Sequence, residues 1–116
     1  MEPLAPGDTE GLVLRRPGHW VVAAVASWCG FCRTFRPKFE AREGAWSAHL
    51  GTLDLSDLKD PRWDAFGIRV VPTLLEFRDG RLVSRIDGRR FRGLKESDLD
   101  EMGRRLAAAS RPSTSG

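Results

Sequence analysis

Two cysteines, Cys29 and Cys32, stand three positions apart in a 116-residue chain that has no others. A disulfide between them would close only a tiny loop, so it would add little to stability in the way a structural staple does. Their closeness therefore calls for a chemical reading. One is thiol–disulfide exchange, in which a thiolate attacks a sulfur and a second thiol resolves the mixed disulfide. Another is half of a zinc site, but zinc needs three or four protein ligands. Only His19 and His49 remain as good candidates, and neither has the spacing of a finger or ribbon. No metal site is expected. The plainest alternative is two unrelated buried cysteines.

The pair must be held by the elements on either side. Trp20 to Ala26 is a continuous apolar run with β-branched residues, which predicts a buried strand. Phe31 to about Leu50 reads as a helix with Phe35, Phe39, Trp46 and Leu50 near one face, kinked at Pro37 and closed by Gly51. The cysteines then lie where a strand passes into a helix. Unpaired N–H groups and the positive end of the helix dipole favour a thiolate there. Cys29, beside Gly30, is expected to be the exposed attacker, and Cys32, one turn further in, the resolving thiol.

Around this unit, Met1 to Gly7 reads as a loose arm or short edge strand. Asp8 or Thr9 is expected to cap a short helix through Arg16, ended by Pro17-Gly18. Thr52 to Leu55 predicts a strand, and Pro61 to Phe66 a brief helix stopped by Gly67. Thr73 to Phe77 and Leu82 to Ile86 predict a hairpin about Asp79-Gly80. Lys95 to Ala108 predicts a last helix with Leu99, Met102 and Leu106 inward, and residues 110–116 a polar, disordered tail. One domain over residues 8–109 follows, an α/β mixed sheet covered on both faces.

The net charge is +3, with basic residues interleaved with acids, which suits a solvated surface. Nucleic acid or an anionic membrane would have to use the cluster Arg85, Arg89, Arg90 and Arg92; neither partner is expected. The longest apolar run falls far short of the roughly 20 residues a bilayer needs. The N-terminus lacks the features of a secretory signal, so the expected compartment is the cytoplasm, with an extracytoplasmic site if a leader or anchor has been trimmed.

Ala26-Ser27-Trp28-Cys29-Gly30-Phe31-Cys32 resembles the W-C-x-x-C segment of the thioredoxin superfamily. Pro37 is similar to its helix-kinking proline, Gly67 to Leu75 to its segment around a cis-proline, and Gly80 and Gly88 to its glycines in and after the hairpin. The resemblance runs from about Thr9 to Leu106. It implies a thioredoxin fold, with a central mixed sheet of four to five strands and helices on both faces. It also implies a protein disulfide oxidoreductase, most simply a reductase: a monomer acting on protein disulfides and recharged by an external reductase or oxidase. No cofactor is implied beyond the redox-active Cys29–Cys32 pair. By the same resemblance Val71–Pro72 is a cis peptide packed on the dithiol, leaving the Val71 backbone free to pair with an extended substrate. Trp28 covers the nucleophile, and Gly30-Phe31 tunes the potential towards the reducing end. The other readings are an extracytoplasmic oxidase or isomerase, and a non-catalytic binding module.

The chain also departs from the family. Its buried acid six residues before the first cysteine is replaced by Ala23, and the lysine that partners it falls near Thr52. Glu76 is unusual in its strand, and two readings stand: it reaches solvent or pairs with an arginine, or it faces the gap beside Ala23 as a relocated proton-transfer carboxylate.

Overall fold

The computed structural model describes residues 1–110. Its centre is the strand β4 (His19–Val25), in which every residue from Trp20 to Val25 is buried. A strand buried along its length is covered on both faces, which is why it reads as an unbroken apolar run. In chain order the strands are β1 (Glu2–Pro3), β2 (Thr9–Glu10), β3 (Val13–Leu14), β4, β5 (His49–Asp54), β6 (Thr73–Arg78) and β7 (Arg81–Ile86). The helices are α1 (Gly30–Glu40), α2 (Arg62–Ala65) and α3 (Glu96–Ser110).

The sheet runs β1-β5-β4-β6-β7-β3-β2. Strand β4 is parallel to β5 and antiparallel to β6, and β6 and β7 form the expected hairpin about Asp79-Gly80. The four central strands are the sheet read from the sequence. Three two-residue strands extend it to seven, β1 at one edge and the β2–β3 ribbon at the other.

That ribbon corrects one expectation. Residues 8–16 form no helix: a single 3-10 turn, Pro6–Asp8, leads into β2 and β3. The buried Leu14 donates its N–H to the Gly80 carbonyl at 3.0 Å, so the segment is fixed by the open edge of β7 rather than by its own propensity. Gly80, at φ 88, leaves no room for a side chain, since a Cβ there would lie 2.7 Å from the Leu14 carbonyl oxygen.

The helix expected through Leu50 stops at Glu40, and β5 begins at His49. Gly44, at φ 85, helps turn the chain between them. Trp46 then packs edge-on against Phe39 and approaches Gly103 of α3. Arg42 bonds both Glu96 and Asp100, fastening the end of α1 to α3. Phe35 and Phe39 from α1, and Leu99, Met102 and Leu106 from α3, fill the core. The expected last helix is present with the expected inward face: those three α3 residues are all buried. The tail expected at residues 110–116 lies outside the described residues apart from Ser110, which ends α3.

Candidate active site

Strand β4 delivers the chain to Cys29, which sits at the N-cap of α1. Its extended backbone (φ −93, ψ 115) lets its sulfur take the capping role that an oxygen fills in Ser or Asp. The Cys32 N–H donates to the Cys29 sulfur at 3.2 Å, and the Cys29 thiol donates to the Val71 carbonyl at 3.4 Å. The first turn of the helix thus aims an amide donor at the sulfur that must carry negative charge during exchange. Both cysteines are free thiols.

The expected exposure of Cys29 needs correction. Cys29 is 6% exposed and Cys32 1%, so both are buried and only the order of access is as expected. The exposed surface around them belongs to Trp28 (53%) and Phe31 (45%), with Gly30 between the cysteines. Trp28 is held in place by its indole N–H, which donates to the Ser56 carbonyl at 2.9 Å, and by stacking on Trp63. No pattern in the sequence marked Ser56 or Trp63 as the support of Trp28.

Burial pushes the Cys32 thiol up to about 12, helped by its hydrogen bonding with Cys29, while the Ala26 backbone and the charge of Arg36 pull the other way. A resolving thiol this reluctant to ionise needs a proton acceptor. Ala23 cannot supply one: it is fully buried, paired in register with Thr52 on β5 and Leu74 on β6. Glu76 lies two pairs further along the sheet, opposite Val21, and its carboxylate accepts a hydrogen bond from, or pairs with, His19 Nε2 at 2.6 Å. Arg78 lies 4.0 Å from the same oxygen. His19 begins β4, four residues from Ala23 and therefore about 13 Å along the strand. The structure does not bring Glu76 to the dithiol.

The wall facing the cysteines is the loop before β6. The Val71–Pro72 peptide is cis, and both residues are buried. Proline offers no N–H to compete for the sulfur, so the Val71 carbonyl meets the thiol alone. The Thr73 hydroxyl donates to the Val70 carbonyl at 2.7 Å and accepts from the Gly88 N–H at 3.2 Å, closing the loop around Pro72. A Cβ on Gly88 would lie 2.2 Å from the Pro72 carbonyl oxygen, so this close approach requires glycine. Gly93 does the same on the other side, where a Cβ would lie 2.8 Å from that of Phe31. Gly93 was not recognisable from the sequence as part of the site.

Among the described residues no group of three or more His, Cys, Asp or Glu side chains is placed to hold a metal ion. No helix among them is long and apolar enough to cross a membrane.

The comparisons agree with this geometry. The family model described as thioredoxin matches residues 7–99. A thioredoxin of Chlamydia caviae is 35% identical over 74 residues, covering 63% of this chain and 67% of its own. A protein disulfide-isomerase A6 homolog of Caenorhabditis elegans is 32% identical over 96 residues, covering 81% of this chain but only 21% of its own length. Among solved structures, Fasciola hepatica thioredoxin superposes with a TM-score of 0.64 at 27% identity, over 78% of this chain and 83% of its own. A dithiol capping a helix, faced by a cis-proline loop on this sheet, accounts for that agreement, and the chain belongs to the thioredoxin family of thiol–disulfide oxidoreductases.

Proposed function

We propose that the chain is a protein disulfide reductase in which Cys29 attacks and Cys32 resolves. The observation that carries this reading is the Cys29 sulfur, held between the Cys32 amide and the Val71 carbonyl beside a cis-proline. The Cys29 thiolate attacks one sulfur of a substrate disulfide, forming a mixed disulfide and releasing the other sulfur as a thiolate. The Cys32 thiol loses its proton to water or to the departing thiolate, and its sulfur attacks that of Cys29. The second substrate sulfur leaves. Two electrons pass to the substrate, which ends as two thiols, and the enzyme ends as the Cys29–Cys32 disulfide.

Trp28 and Phe31 give the substrate an apolar surface at the edge of the dithiol, and the Val71 backbone pairs with an extended substrate segment. An external reductase restores the thiols, and the redox pair itself is the only group the chemistry requires. A protein recharged in this way works in a reducing compartment, the cytoplasm in the simplest case, and as a monomer.

The prereduced protein is expected to reduce insulin disulfides, and Cys29→Ser is expected to abolish the reaction. Equilibration with glutathione decides direction. Phe31 adds neither charge nor hydrogen bond to the thiolate, so the potential should lie nearer about −270 mV than about −120 mV. A value at the oxidising end would make the protein an oxidase instead.

A further inference from the structure

The four clustered arginines near the hairpin's end divide into two kinds. Arg85 bonds the Asp87 carboxylate at 2.6 Å and the carbonyls of Phe66 and Gly67. Arg89 makes two bonds to Asp98, at 3.1 and 3.2 Å, and Asp98 also accepts the Lys95 N–H at the start of α3. These two hold the fold together. Arg90 and Arg92 are exposed, and among the described residues their side chains make no ion pair.

The loop that carries them is built to one shape. Arg89 and Gly93 bridge each other, with the Gly93 N–H on the Arg89 carbonyl at 2.8 Å and the Arg89 N–H on the Gly93 carbonyl at 3.1 Å. Between them Phe91 adopts a left-handed backbone (φ 65) that an aromatic residue rarely takes, and its side chain is 84% exposed. The base of the loop rests on the dithiol motif, because Gly93 lies against Phe31 too closely for any side chain. A strained, solvent-facing Phe between two unpaired arginines, mounted on the residue before Cys32, has no role in the core.

The charges around the dithiol are also divided by side. Arg33 and Arg36 follow Cys32 on α1 and Arg69 precedes Val71; all three are exposed, and among the described residues none makes a salt bridge, though the charge of Arg36 reaches Asp54 and Cys32. Beyond Trp28, where Trp63 donates to the Asp57 carbonyl, the exposed charges include Asp57 and Asp64. Asp87 and Asp98, on the loop's own side, already hold arginines.

We propose that Arg90-Phe91-Arg92 is a docking element that selects protein disulfides flanked by acidic residues, with an apolar side chain of the substrate meeting Phe91. This deepens the disulfide-exchange reading and rests on it. Charge complementarity of this kind acts mainly by steering encounter, so it should appear in the second-order rate and fade with salt.

The test uses the prereduced full chain and cystine peptides that differ only in flanking residues: paired Glu, paired Gln or paired Lys. The Glu peptide is expected to be reduced about tenfold faster than the Lys peptide at low ionic strength, a ratio that shrinks as salt rises past about 0.15 M. In R90E/R92E, checked for an unchanged thermal midpoint, the ratio is expected to fall to about one or to invert. Equal rates on all three peptides in the wild type, or a preference that survives R90E/R92E, would overturn the proposal and leave the exchange activity standing. Reduction of none of them would instead sink the exchange reading itself. If a single-stranded DNA inhibits reduction of the Gln peptide at lower concentration than a polyglutamate of equal charge, the loop serves nucleic acid and the proposal is wrong.

Discussion

Gly88→Ala should damage both stability and exchange, through a single steric contact. The φ of Gly88 lies outside the left-handed region, so the backbone itself would accept alanine. The obstacle is space. The new Cβ would stand 2.2 Å from the Pro72 carbonyl oxygen and 3.3 Å from its carbon, whereas real Cβ contacts essentially never fall under 3.0 Å. The loop around Pro72 must open by roughly 0.8 Å or more, and that loop is the wall carrying the Val71 carbonyl that meets the Cys29 thiol. Overpacking of this kind costs about 1–3 kcal/mol. For a domain of this size that corresponds to a fall of roughly 5–15 °C in the thermal midpoint. A displacement of about 1 Å at a reacting centre lowers the rate by up to about 100-fold. Thermal unfolding by circular dichroism and single-turnover reduction of a cystine peptide measure the two effects. Gly7→Ala is the comparison, because nothing lies within 4 Å of its Cβ position and it belongs to the Pro6–Asp8 turn and not to the dithiol site. A Gly88→Ala protein with wild-type midpoint and rate would refute the reasoning.

Release of the mixed disulfide should accelerate with pH. Burial is the largest cause that raises Cys32 and does not depend on the Cys29 thiol, so in the mixed disulfide the Cys32 thiolate fraction should still grow about tenfold per pH unit through the neutral range, and quenched-flow decay should follow with a slope near one. The same raised value means the folded state holds the proton. Its stabilising contribution is present below about pH 9 and is lost as pH rises towards 12, in the reduced protein and not in the oxidised one. Thr73→Val removes the hydroxyl that joins the Val70 carbonyl to the Gly88 N–H, and denaturant unfolding should show a loss of about 1–3 kcal/mol. Glu76→Gln should leave the pH–rate profile of exchange where it is while lowering stability by about 1–2 kcal/mol through the weakened bond to His19; a displaced profile would restore a proton-transfer role.

The elements nearest the chemistry were legible in the sequence because their signals are local. An apolar run of seven residues, a C-x-x-C pair and a V-V-P-T segment each specify their own conformation, and Asp79-Gly80 specifies a turn. Elsewhere another part of the chain decides the conformation. Val13 and Leu14 become a strand only because β7 leaves an edge to pair with, and residues 41–48 leave the helix where Trp46 packs onto Phe39 and α3. At the site, the burial of Cys29 and the contact between Gly93 and Phe31 depend on loops more than 40 residues away in sequence. Glu76 is visibly unusual in its strand, but its burial and its partner are set by strand register, which places it on His19 and not beside Ala23.

The central claim is that Cys29 attacks and Cys32 resolves. Trapping tests it directly: each single Cys→Ser variant is mixed with a cystine peptide and the intact mass is measured without reductant. Cys32→Ser is expected to accumulate a one-to-one mixed disulfide through Cys29, and Cys29→Ser to accumulate little or none. An adduct that forms on Cys32 and not on Cys29 would contradict the account.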